Sequence, residues 1–98
     1  MLYRHGDVLV QSVERLPSAH PRPGATLARG EITGHSHRFS DAQRVQLYQA
    51  GAELYVEVLA DHAALIHEEH HTFTLPRGVY KVWMQREYSP EAIRRVLD

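Results

Sequence analysis

Period two dominates the hydrophobic pattern of this chain, and that argues against a helical core. Leu54, Val56 and Val58 alternate with Glu53, Tyr55 and Glu57, which on a strand sends the two sets to opposite faces. Asp7 to Val13 reads as a first strand with little polar interruption, and Pro17, Pro21, Pro23 and Gly24 then impose a loop. Ala25 to Thr33 is expected as a second strand with a bulge at Gly30, and His35 to Phe39 continues extended. Val45-Gln46-Leu47-Tyr48 alternates again, with a hairpin turn at Ala50-Gly51. Short strands follow at Ala63 to His67 and Thr72 to Leu75, a turn at Pro76-Arg77-Gly78, and a long strand from Val79 to Tyr88. Ser89-Pro90-Glu91 has the form of a helix start, predicting a helix over about 90–97 with Ile93 and Leu97 on one face. The fold class is therefore all-β: one domain spanning 1–98, a small barrel or sandwich of about 7–8 short strands with a short C-terminal helix.

Bulk properties narrow the function. Ninety-eight residues support one modest core. A net charge of −1 does not suit a surface built on phosphate contacts, so no nucleic-acid partner is expected. No apolar run approaches the ~20 residues of a membrane span, and the sequence from Met1 to Asp7 does not read as a signal peptide. A cytoplasmic location is the default expectation. The absence of cysteine excludes disulfides and thiolate metal sites.

Histidine is where the composition departs from the ordinary. The chain has eight, and five are concentrated in Gly34-His35-Ser36-His37 and His67-Glu68-Glu69-His70-His71. Strand parity puts His35 and His37 in register with Phe39, His67 with Leu65 and Ala63, and His71 with Phe73 and Leu75. A tight turn at Glu68-Glu69 would break that parity and let His70 replace or join His71. Clustered imidazoles are poor occupants of a core unless their nitrogens are satisfied, at about 1–3 kcal/mol for each unpaired buried polar group. A divalent ion satisfies several at once. The candidate ligands are His35, His37, His67, His70 and His71, and the candidate metals are Zn, Fe(II), Ni and Mn. Glu68, Glu69 and Asp41 are the carboxylates near enough in sequence to complete a shell. The isolated histidines His5, His20 and His62 receive no role.

His67-Glu68-Glu69-His70-His71 also matches His-Glu-x-x-His, in which two histidines one helical turn apart bind zinc and the glutamate is a general base. That alternative, a zinc hydrolase, requires a helix from about Asp61 to His71.

Gly30-Glu31-Ile32-Thr33-Gly34-His35-Ser36-His37, followed by Asp41, resembles the first motif of the cupin superfamily of small β-barrels. Leu75-Pro76-Arg77-Gly78-Val79-Tyr80 is similar to its second, with Lys81 at the position of that motif's histidine. The order of these segments, with Gly-His-Ser-His ahead of His-Glu-Glu-His, is also similar to a small group of uncharacterised bacterial proteins. The cupin resemblance implies a metal-bearing barrel acting on a small polar molecule. The contrasting reading is a non-enzymatic interaction module with a metal-stabilised fold, homodimeric through an edge strand, with Tyr48, Tyr55, Tyr80 and Trp83 as candidate interface aromatics.

Overall fold

A computed structural model of the chain describes residues 1–29 and 34–85. Eight strands run through them: β1 Leu2–His5, β2 Val8–Val13, β3 His20–Arg22, β4 Thr26–Arg29, β5 Ser36–Phe39, β6 Val45–Ala50, β7 Glu53–Ile66 and β8 Phe73–Met84. A 3-10 turn, Ala42–Arg44, precedes β6. The expected all-β architecture is present, as one antiparallel sheet whose main path is β1-β2-β8-β7-β5-β4. β6 pairs with the first half of β7 and carries β3 on its outer side, while β5 pairs with the last residues of β7. Among the described residues no ladder joins β1 to β4, so backbone hydrogen bonds do not close the sheet into a barrel. No helix among them is long and apolar enough to cross a membrane. The helix expected at about 90–97 lies outside the described residues.

Local chemistry explains where the strands depart from the alternation pattern. β1 precedes the expected first strand and folds back on β2 through Gly6-Asp7, with Gly6 at φ +63. Two-residue hairpin loops favour such left-handed residues because they match the strand twist. Four residues are too few to display a period, which is why β1 escapes the pattern. The proline-rich segment is not wholly loop: Pro21 sits in β3, opposite Tyr48. An edge strand tolerates the missing N–H. The second expected strand is observed as β4, ending at Arg29, and Gly30 to Thr33 lie outside the described residues.

Pro76-Arg77-Gly78 does not turn the chain. β8 runs through it, and the irregularity lies across from it, where the register of β7 shifts between Val58 and His62. Arg77 donates to the Leu59 carbonyl and, at 3.2 Å, to Asp61, which pins the bulged segment. Gly78 supplies φ +154 on the facing strand. The shift changes which side chains face inward. Val56 and Val58 are buried before it, and Ala63, Leu65 and His67 after it. On β8, Leu75 is buried on one side of Gly78, and Tyr80 and Val82 on the other. Unbroken parity from Val58 would turn His67 away from the core.

Inside the curl, Val8, Val10, Leu47 and Val56 are fully buried. Tyr55 and Tyr80, expected as interface aromatics, belong to the interior at 8% and 2% exposure. The Tyr80 hydroxyl donates to the Pro76 carbonyl at 2.6 Å, giving the buried phenol a partner.

Candidate metal centre

Three segments distant in sequence converge where the two flanks of the sheet approach one another. His5 ends β1, His37 lies in β5, and His67 to His71 form the connection from β7 to β8. His37 shares the inward face of β5 with Phe39, at 1% and 4% exposure. His67 follows the end of β7 and is 8% exposed, and His70 is half-buried. The imidazole centroids of His37 and His67 lie 4.3 Å apart, those of His67 and His70 4.4 Å, and those of His37 and His70 5.4 Å with the rings stacked. One ligand nitrogen from each of these three side chains falls within 4.8 Å of the other two, a group that could hold a metal ion. A second such group is His35, His67 and Glu68.

The remaining residues named from sequence take other places. The His71 side chain is exposed and outside both groups, because the bends through Glu68 to His70 break strand parity and turn His70 inward instead. His71 contributes its backbone: its carbonyl accepts from Nε2 of His5 at 2.7 Å. His35 precedes β5, and its Nδ1 lies 2.7 Å from a Glu69 carboxylate oxygen at the edge of the cluster. Asp41 caps the 3-10 turn by accepting from the Gln43 N–H at 3.0 Å and pairs with Arg44, so it is not part of either group. The helix demanded by His-Glu-x-x-His is absent, since bends follow directly on a fourteen-residue strand. The zincin arrangement therefore does not form.

His5 is the residue that sequence reasoning missed. It is 1% exposed and its Nδ1 lies 2.8 Å from Nδ1 of His37. Phe73 packs edge-on against its ring at 5.5 Å. Burial pushes the His5 pKa down from 6.5 to about 4, the bond to the His71 carbonyl opposing that shift only in part. The ring is thus neutral at pH 7. No local pattern marks it, since a single histidine at the end of a four-residue strand looks like any surface polar group. The one available signal is its position directly before Gly6-Asp7, a turn dipeptide that would have revealed β1.

Glu68 holds the mouth of the cluster together. One carboxylate oxygen accepts from the Ser36 N–H at 3.0 Å and the other pairs with Arg38 at 2.8 Å. Chiefly because of the bond from Ser36, its pKa falls to about 2. His67 is also tied down, its Nδ1 accepting from the Glu69 N–H at 3.0 Å. In a neutral imidazole this places the ring proton on Nε2.

Residues 4–85 match the family described as Domain of unknown function (DUF8820). The chain belongs to this family. His5, His37, His67 and His70 all lie within the DUF8820 region, and so does the bulge that turns His67 inward. No curated protein and no solved structure matches the chain.

Proposed function

We propose that this DUF8820 protein binds a divalent transition metal through the imidazoles of His37, His67 and His70. The observation that carries the reading is the approach of three imidazole nitrogens from two distant segments to within 4.8 Å of one another. A set of neutral nitrogen donors suits Zn, Fe(II), Ni or Mn, with geometry and supply selecting among them. Three protein ligands leave a coordination position for water or a small polar molecule, as a catalytic site requires. Ligation by Nε2 of His67 moves that ring's proton to Nδ1 and opens its bond to the Glu69 N–H. The connection from β7 to β8 is therefore the part that rearranges on metal binding.

The test is elemental analysis of protein purified without a tag or chelating resin, beside a His37→Ala/His70→Ala variant. Near-stoichiometric metal in the parent, lost in the variant, is the expected result. A parent that stays metal-free after incubation with Zn, Fe(II), Ni and Mn would remove this reading.

One observation favours a second reading. Nδ1 of His67 already accepts a backbone N–H and Nδ1 of His37 is already bonded to His5, so the imidazoles can act as a neutral hydrogen-bonded plug between the flanks of the sheet. The protein would then be a non-enzymatic module. Full thermal stability in the presence of a strong chelator, with large losses in the histidine variants, would favour the plug.

A further inference from the structure

The geometry points to His5 as a positioning residue that fixes His37 in the tautomer bearing its proton on Nδ1, so that the Nε2 lone pair is presented to the three-imidazole centre. This rests on the metal reading above for its consequence, though not for the hydrogen bonds themselves.

Each step follows from which atoms can donate. A carbonyl oxygen only accepts, so the 2.7 Å bond to His71 requires a proton on Nε2 of His5. His5 is 1% exposed with the Phe73 ring packed edge-on against it, a setting that disfavours a charged imidazole. With its one proton on Nε2, the Nδ1 of the same ring can only accept. Nδ1 of His37, 2.8 Å away, must therefore be the donor. A neutral His37 with its proton on Nδ1 has a lone pair on Nε2, the form in which an imidazole ligates through that atom. His5 is itself held in place. Its ring stands nearly edge-on to His37, at 76° and 4.9 Å between centroids, with Phe73 against another side.

The arrangement also explains why the anchor is a backbone carbonyl on His71. The residue before it, His70, is one of the three converging imidazoles. A single chain of bonds from the His71 carbonyl through His5 to His37 thus sets the distance between β5 and the segment that carries His70. Ligating histidines usually give their second N–H to a carboxylate, carbonyl or water. Here a neutral imidazole takes that role, which fixes the tautomer without adding negative charge to the centre.

Two measurements test this separately from the metal reading. The first uses metal-free protein labelled with 15N-histidine at pH 7.5, where long-range 1H–15N correlations report which ring nitrogen carries the proton. The expected pattern is a proton on Nδ1 of His37 and on Nε2 of His5. The second is Zn(II) affinity by competition with a chromophoric chelator. His5→Phe, which keeps ring packing but removes both bonds, is expected to weaken binding about 10–100-fold, as loss of an outer partner of a ligand typically does. His5→Gln offers an amide oxygen to His37 and an amide N–H to the His71 carbonyl, and is expected to recover most of the affinity. A His37 proton on Nε2 in the metal-free protein would overturn the proposal even if His5→Phe failed to fold. Unchanged affinity in His5→Phe would overturn it as well. A native protein that shows the expected tautomers but binds no Zn(II) would count against the metal centre and leave the tautomer lock standing.

Discussion

Glu68 and Arg38 meet at 2.8 Å across the mouth of the histidine cluster, and both also hold Ser36. Glu68 accepts from the Ser36 N–H, while Arg38 donates to the Ser36 carbonyl and hydroxyl at 2.9 and 3.1 Å. The pair ties the start of β5 to the residue after His67. It therefore controls how closely His37 and His67 approach.

Acid should release this clamp. The Glu68 carboxyl is held at about 2, below its ordinary 4.5, first by the Ser36 N–H and with a smaller contribution from Arg38. A depressed carboxyl pKa contributes stability that is present above 4.5 and lost as the pH falls through about 2. In metal-free protein, the difference in Tm between the parent and Glu68→Gln should therefore shrink as the pH is lowered from 5 to 2. The part due to Arg38 should also shrink in high salt, because the pair is partly exposed. Parallel Tm curves for the two proteins would show that Glu68 has no such role.

His70 and His71 are neighbours with different predicted consequences. His70→Ala should abolish tight Zn(II) binding, because it removes one of the three converging nitrogens. His71→Ala should bind within about threefold of the parent, since its carbonyl is retained and the exposed ring belongs to neither group. Chelator competition decides between them. Equal losses in both variants would assign the site wrongly.

Arg77 is expected to matter for His67, although it lies on another strand. Its guanidinium pins Leu59 and Asp61, the bulge after which His67 faces inward. Arg77→Met should cost roughly 1 kcal/mol or less in global stability, as exposed ion pairs do. Amide exchange should nevertheless quicken around residues 59–61, and Zn(II) affinity should fall. Unaltered exchange at those residues would separate Arg77 from the bulge.

Tyr80→Phe removes the hydroxyl bonded to the Pro76 carbonyl, at an expected loss of about 1 kcal/mol measured by urea denaturation. Burial raises the Tyr80 pKa above its ordinary 10. Its contribution is therefore complete below 10 and lost as the pH rises through the folded value. The stability difference between parent and variant should close at strongly alkaline pH. A gap that stays constant there would mean that the phenol is not the titrating group.

Much of the sheet was legible because alternation is a local property. The hairpin of β6 and β7 follows directly from Val45 to Tyr48, the Ala50-Gly51 turn and the Leu54, Val56, Val58 series. The pairing of His37 with Phe39 on one face likewise needs only the spacing of two. Where the structure departed from the pattern, a tertiary contact or a special residue was responsible. β8 continues through Pro76-Arg77-Gly78 because Arg77 satisfies the bulged backbone of β7 opposite. Pro21 lies in a strand because that strand is an edge.

By itself, the sequence determined that this is a β protein and that two of its segments bring an unusual density of imidazole to their strand ends. Those consequences depend on spacing along one chain, and spacing is what a sequence displays. Only the tertiary structure decided which imidazoles meet. The choice of His70 over His71 rests on how the connection bends between β7 and β8. The entry of His5 rests on the curl that brings β1 beside β5, two strands that share no ladder. Sheet curvature is the sum of twist, bulges and core packing over all the strands, so no window of residues around His5 contains it.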